Sequence, residues 1–519
     1  MTKLLRAAGS ISVFTLLSRI LGLYRDRLMA QTLGASWVQG TFLLAWTLPN
    51  LMRRLLGEGA LSASLVPAYA RARRSGDLGE ARRLLAEVVG AVVTLLTPLC
   101  LLVALASLLL PAEWLPAPER GGVPAMRLLL ALNSVLFVYA LPVCLTAVFS
   151  GAMNTLGMFA LPAAVPIVLN LFWIAALLLA KPLGITVDTE IANFAAWSLS
   201  IGGFLQLLLV TVPLWLRGEL LRPRLGLPRR GTAAFTVFAA MGPTVVGMSL
   251  NQVSSLLDQL MAYYLVAPGA VTYIYLANRL LLFPHALTAM SVAVAVFPKL
   301  AHEASDTDRN GLRSTLDAAA GATILVTLPA ACGMIVLGDD IVNVLFHGGQ
   351  FHTEDVAPTV LTSSCLVAGL PFLGLAQLYA RAFYAVGDNA GPARLAVKLV
   401  LLNAVLNLTL LLTTSLATAG LALSSSLSSL ANAVFLARGF RRHAAPGHAL
   451  AGSWLRSIVA TAAMCAVLPF VRFAAPDASL LHRALGNVAA PMAIGMVVYL
   501  VAHLALRSPE LALLRRRRR

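Results

Sequence analysis

The chain has 519 residues, 59% of them hydrophobic and 12% charged, with a formal net charge of +17 and a mean hydropathy of +0.82. A soluble domain is about 45–50% apolar and about 25% charged, so this composition excludes a large soluble domain and points to a polytopic membrane protein. The basic residues fall in short gaps between apolar runs, without an aromatic-interleaved groove, which sets nucleic acid aside as a partner.

A bilayer core needs about 20 apolar residues per helix. Such segments recur about fourteen times, centred near residues 20, 45, 98, 138, 170, 203, 248, 283, 325, 370, 402, 426, 463 and 495. Lys3 and Arg6 imitate the start of a signal peptide, but no small-residue cleavage site follows, so the first segment reads as a retained helix. It carries "SRILGLYRDRL" (18–28), in which Arg19, Arg25 and Arg27 are offset only by Asp26. The second segment holds Pro49, Asn50, Arg53, Arg54 and Glu58, and the eighth holds Arg279.

Orientation follows from the gaps. Arg71, Arg73, Arg74, Arg82 and Arg83 come after the second span, and Arg217, Arg222, Arg224, Arg229 and Arg230 after the sixth. Lys299, Arg309 and Arg313 follow the eighth, Arg438, Arg441 and Arg442 the twelfth, and Arg515 to Arg519 end the sequence. The gaps after odd-numbered spans are short or acidic, so the positive-inside rule predicts cytoplasmic termini. The five cysteines, Cys100, Cys144, Cys332, Cys365 and Cys465, lie in apolar stretches without a C-x-x-C pair and read as small buried side chains.

Two pairs of segments recur at a spacing of about 230 residues. "FSGAMNTLGMFALPAAVPIVLN" (149–170) aligns with "FYAVGDNAGPARLAVKLVLLN" (383–403), matching Phe149 with Phe383, Asn154 with Asp388 and Asn170 with Asn403. More loosely, Asn50 aligns with Asn278 and Pro67 with Pro298. Six spans separate the copies, so they share orientation. The pattern predicts an all-α integral membrane protein with two six-helix lobes, residues 1–225 and 226–445, about a pseudo-twofold axis along the membrane normal. Residues 446–519 add two further helices and a basic tail. A substrate path between two repeats is the architecture of a transporter.

An arginine at the centre of a membrane helix costs roughly 2.5–3.5 kcal/mol even on the mildest scale. Arg19 and Arg25 point about 120° apart on a regular helix, so both can face one cavity only if the helix bends, and Gly22 makes a bend cheap. Several converging guanidinium groups repel one another unless an anion neutralises them, and their planar forks suit a phosphate or diphosphate. The competing reading pairs Arg25 with Asp26 or Glu58 and lets Arg53 and Arg54 reach the interface. Asp258, in "SLNQVSSLLDQLMAYYL", with Asn403, Asn407 and Ser425, offers oxygen ligands for Na+ or a proton-carrying carboxylate. His347, His352, Glu354 and Asp355 look like a metal cluster but lack the spacing of one, so no metal is expected. No nucleotide-binding loop or hydrolase motif is present.

The segments "SRILGLYRD", "LPNLMRRLLGEGALSASLVPAYA", "GAMNTLGMFALPAAVPIVLN", "YLANRLLLFP" and "RAFYAVGDNAGPARLAVKL" closely resemble the MurJ (MviN) lipid II flippases of the multidrug/oligosaccharidyl-lipid/polysaccharide exporter superfamily. The resemblance implies a transporter rather than an enzyme, working by alternating access in the bacterial cytoplasmic membrane. Its cargo would be lipid II, the undecaprenyl-diphosphate-linked disaccharide-pentapeptide of peptidoglycan synthesis. The bilayer and the cell-wall synthesis machinery would be its other partners. No cofactor is implied, and a Na+ or H+ gradient or the membrane potential would drive transport. By motif, Arg19, Arg25, Arg53 and Arg279 match family arginines needed for function, with Asp26, Asn50 and Glu58 shaping the same cavity and Gly22 and Pro49 as hinges. Asp258, Asn403, Asn407 and Ser425 resemble a proposed ion site. The chain departs from the family pattern at "WVQGTF", where Gln39 and Gly40 replace an acid, and at Asn278 and Asn407. Two other readings are an exporter of another polyprenyl-linked oligosaccharide and a polyprenyl-phosphate glycosyltransferase or ligase, which would need a catalytic acid or histidine in a sizeable loop.

Overall fold

The computed structural model describes residues 2–55, 61–287, 289–304, 310–443, 449–471, 473–475 and 479–509. The calls on Glu58, Arg309 and Arg515 to Arg519 lie outside these residues. Among the described residues the chain is helical, apart from one isolated bridge between Gly348 and Phe351. In chain order the helices are α1 (Thr2–Leu33), α2 (Trp37–Met52), α3 (Ser62–Arg74), α4 (Leu78–Leu109), α5 (Gly122–Thr155), α6 (Ala160–Ala180), α7 (Asp188–Leu216) and α8 (Ala233–Met261). They continue as α9 (Ala270–Leu287), α10 (Ala289–Ala304), α11 (Asn310–Val336), α12 (Gly338–Leu345), α13 (Thr353–Val367), α14 (Leu370–Ala385), α15 (Ala390–Thr413) and α16 (Thr418–Phe440). The last three are α17 (Ala449–Val467), α18 (Leu480–Arg483) and α19 (Ala490–Ala505).

Each expected span centre falls inside a helix, and among the described residues ten helices are long and apolar enough to cross a membrane. The remaining centres lie in helices outside that set, such as the 16-residue α2. Backbone groups in lipid have no water to bond, which is why long unbroken helices dominate. Their apolar surface does not all turn inward. On α15, Leu401, Val405, Leu408 and Leu412 are exposed at helical spacing, and on α4 so are Leu101, Leu102, Leu105, Leu108 and Leu109. In water such stripes would drive aggregation; facing acyl chains they are at rest. The chain is a multi-pass membrane protein.

The contacts gather the chain into two compact units, Met1–Thr272 and Tyr273–Arg519. The sequence repeat divides the chain earlier, near residue 225, but α8 places Ala234, Val237 and Met241 in the core of the first unit. That core is built on α5, whose Leu132, Leu136, Tyr139 and Cys144 are fully buried among α2, α4 and α7. Close approach depends on small residues. A Cβ at Gly203 of α7 would lie 2.4 Å from the Tyr139 ring. At the helix ends, Ser36 and Thr232 cap α2 and α8 by accepting from the amides of Gln39 and Phe235. Beyond α7, the carboxylate of Glu219 accepts from Arg73 (2.6 Å) and Tyr69 (3.2 Å), tying that segment to α3.

In the second unit, α13 and α14 meet at a break before Pro371, whose missing amide ends the hydrogen-bond ladder. Ser426 of α16 supplies a donor there, bonding the carbonyls of Cys365 (2.6 Å) and Leu366 (3.0 Å). Gly369 permits that approach, since a Cβ would fall 2.6 Å from Ser426 Oγ. The repeat is visible as a shared turn within each unit. Two residues past the end of α5 stands Gly157, and two past the end of α14 stands Gly387, both with positive φ (75° and 81°). In each, the residue after the glycine bonds back five residues, Met158 to Met153 and Asp388 to Phe383.

Candidate functional site

The arginine-bearing first span is one unbroken helix through Gly22. Arg19 lies on its exposed side. Arg25 and Asp26 are instead buried, 6% and 3% exposed. Their pairing is bidentate from the arginine: Nε (3.0 Å) and Nη2 (2.6 Å) both donate to Asp26 Oδ1. Nη1 donates to Asn170 Oδ1 of α6 at 3.0 Å, and the guanidinium lies 4.3 Å from the centre of the Trp173 ring. Asn170 in turn donates to the Ser18 carbonyl at 3.1 Å. Gly22 faces the same side chain, a Cβ there meeting Asn170 Nδ2 at 3.8 Å. Neighbouring carboxylate, amide and aromatic face together replace water around a charge that would otherwise be costly to bury.

Asn170 and Trp173 stand three residues apart on one face of α6, and neither was among the expected site residues. The repeat had marked Asn170 through its match to Asn403, but a partner 145 residues away leaves no local trace in sequence.

The second span ends differently. Pro49 sits inside α2, and residues 53–55 continue it as a wider π-type turn, a feature common at functional sites. Half-buried Arg53 donates from Nε to Asn50 Oδ1 at 3.1 Å, so P-N-L-x-R places the amide one turn before the guanidinium it steadies. A polar seam joins α2 to α8. Thr47 donates to Gln259 Oε1 at 2.6 Å and Arg54 to Gln252 Oε1 at 3.4 Å. Asp258, beside Gln259, is half-buried.

The two neutral residues at the departure from the family pattern are built into the helix corner. Gln39 is fully buried with its side-chain amide set against the Met29 and Gly34 carbonyls, so the amide orientation that satisfies both is the one that presents its nitrogen to them, at the C-terminal end of α1. A Cβ at Gly40 would stand 1.7 Å from the Pro268 carbonyl oxygen, so no side chain fits there in this arrangement.

In the second unit, Arg279 of α9 is half-buried. It donates from Nη2 to the Tyr275 hydroxyl at 2.8 Å and lies over the same ring at 5.0 Å. Asn278 is exposed and donates to its own helix, at the Ile274 carbonyl. Asn403 and Asn407 of α15 are buried and meet Ser424 of α16, the neighbour of Ser425. Asn403 Nδ2 donates to Ser424 Oγ, Asn407 Nδ2 to Asn403 Oδ1, and Ser424 Oγ to Asn407 Oδ1. Two amide oxygens and a hydroxyl are the right atoms for a hard cation, and the cluster itself has no formal charge. Ser425 accepts at its carbonyl from Ser429. Asp355 is occupied otherwise, accepting from the His352 amide (3.0 Å) at the start of α13 and from Tyr273 (2.9 Å).

The family model described as "Lipid II flippase MurJ" matches residues 29–480. The chain belongs to the MurJ family. It is 30% identical over 443 residues to a probable lipid II flippase MurJ of Vibrio cholerae, an alignment covering 84% of this chain and 83% of that protein. A solved structure of lipid II flippase MurJ in an inward closed conformation superposes with a TM-score of 0.76 at 23% identity, covering 96% of this chain and 98% of the other. An inward-facing multidrug resistance MATE family transporter gives a TM-score of 0.63 at 13% identity, over 84% and 98%. These structural likenesses show the fold. MurJ is a family of transporters, not enzymes.

Proposed function

We propose that this protein flips lipid II from the cytoplasmic to the outer leaflet by alternating access, with arginines of its spans binding the diphosphate. The observation that carries the reading is membership of the MurJ family over residues that include Arg53 and Arg279. Composition supports it, because several arginines in apolar spans favour an anionic cargo, and a diphosphate offers several oxygens to planar forks. Arg53 and Arg279 are steadied by neutral groups one turn away, Asn50 and Tyr275. Arg25 is held by Asp26, so it joins the diphosphate by exchanging that carboxylate, and Asp26 acts as its stand-in anion between cycles. Arg19 contributes from the exposed side of α1.

The termini are cytoplasmic, on the distribution of loop arginines, and the membrane is the bacterial inner membrane, in keeping with membership of the MurJ family. A Na+ or H+ gradient or the membrane potential drives the cycle, with Asp258, Asn403, Asn407 and Ser425 as residues for a coupling ion. Complementation of a bacterium depleted of its own lipid II flippase tests the reading. Wild type is expected to restore growth, and Arg25→Ala, Arg53→Ala and Arg279→Ala to fail at matched membrane levels. Failure of well-expressed wild type would reject lipid II as the cargo. Rescue by all three variants would reject the arginine clamp while leaving the flippase.

A further inference from the structure

The segment between α7 and α8 runs along α4 as a strap that is not helical over residues 219–230. The Arg224 amide donates to the Ala86 carbonyl at 3.1 Å, the Gly226 amide to Thr94 Oγ1 at 2.9 Å, and Arg224 Nη1 to Glu87 at 3.4 Å. A Cβ at Gly90 would stand 1.9 Å from the Arg224 carbonyl oxygen, so the two backbones touch. These contacts fix how deep the strap reaches. Beyond Glu87, α4 carries no charged residue to its end at Leu109, about 33 Å of helix, which matches a hydrocarbon core of about 30 Å. The core therefore begins beside Glu87, and Thr94 lies about 10 Å further in. Non-helical backbone is tolerated at that depth where protein meets its polar groups, and α4 meets the amides of Arg224 and Gly226.

What the strap turns outward is amphiphilic. Leu225 and Leu227 are 72% and 64% exposed, and on either side of them Arg222, Arg229 and Arg230 are exposed too. These three arginines make no ion pair among the described residues, whereas Arg224 has Glu87 and Glu219 is taken by Arg73. We propose that residues 222–230 are a lipid-binding strap, with Leu225 and Leu227 among acyl chains and Arg222, Arg229 and Arg230 on the headgroups of anionic phospholipids. Exposed leucines at the level of Thr94 are at rest in lipid and costly in water. Guanidinium groups on either side of them offer planar forks to phosphate oxygens. An anion joined to acyl chains meets both demands at once, and a soluble acidic partner meets only the second. On the orientation proposed above the leaflet is the cytoplasmic one, where anionic lipids attract basic segments beside a span.

The test is tryptophan quenching in the full-length protein in lipid nanodiscs. Leu225→Trp adds one emitter to the seven native tryptophans, and its signal is the difference from wild type. That signal is expected to be quenched by brominated acyl chains, and more by brominated phosphatidylglycerol than by the same fraction of brominated phosphatidylcholine. Adding Arg222→Gln, Arg229→Gln and Arg230→Gln is expected to abolish the preference for phosphatidylglycerol while quenching in a fully brominated bilayer persists. Unchanged quenching of the native tryptophans in the parent with the three glutamines keeps misfolding apart from lost binding. A signal that no brominated lipid quenches places the strap in water and overturns the proposal. Equal quenching by the two lipids, or a preference that survives the three glutamines, overturns the headgroup site. Both faces of a nanodisc meet the same lipids, so the result is independent of the orientation and of the cargo.

Discussion

Arg25 shows how a single residue resolves the conflict between a charge and a membrane. Its guanidinium has a carboxylate, an amide oxygen and an indole face as neighbours. Each of these uses the planar shape of arginine, so Arg25→Lys keeps the charge but not the geometry. That variant is expected to lose growth rescue as fully as Arg25→Ala, at equal membrane level. Asn170→Ala removes the acceptor for Nη1 and the donor to Ser18; leaving such buried groups unmet costs about 1–3 kcal/mol. A lowered melting temperature of the purified protein, with rescue reduced, is the expected result, and an unchanged melt would remove Asn170 from the account. Gly40 makes a different demand. Its backbone contact with Pro268 leaves no room for a side chain, and overpacking costs about 1–3 kcal/mol or more. Gly40→Asp is therefore expected to reduce folded protein in the membrane, measured by monodispersity after extraction, instead of restoring an acid to a working site.

At the level of elements, the ends and breaks of helices carry the information. Glu219 anchors the segment after α7 to α3 through Arg73 and Tyr69, and burial raises the Tyr69 hydroxyl above the usual tyrosine range. Glu219→Gln keeps the shape and loses the charge-assisted bonds, each worth about 1.5–3 kcal/mol. A lower melting temperature is expected, and an unchanged one would show that the contact does not hold the segment. Most helices were legible from sequence, because a run of about 20 apolar residues has few alternatives in lipid. The break before Pro371 was not read, since a span centred at 370 looks continuous in hydropathy and the compensating donor, Ser426, lies 61 residues beyond Cys365. The arginines were legible because isolated charges stand out in apolar runs. Their partners were not. Asp26 is adjacent in sequence and stood as a partner of Arg25 only in the competing reading, while Asn170, Trp173 and Ser424 depend on which helix faces pack together. Trp173 shares a face with Asn170, a signal that would have found it once Asn170 was suspected.

Over the whole molecule, family and fold agree. A chain of the MurJ family spans the membrane many times, and both compact units contain the same glycine-terminated turn and a buried asparagine after it, Asn170 in one and Asn403 in the other. In the first unit the asparagine holds an arginine; in the second it holds a second asparagine and a serine. The same scaffold position thus supports a charge in one half and neutral oxygens in the other. The central claim is that this chain moves lipid II across the bilayer. The most direct measurement is the fraction of lipid II exposed at the outer leaflet, read by its cleavage with an externally added lipid II-degrading enzyme, in cells whose own flippase has been depleted. Expression of the wild type is expected to restore cleavage, and expression of Arg53→Ala to leave lipid II protected. Lipid II that remains protected despite well-folded wild type in the membrane would contradict the account.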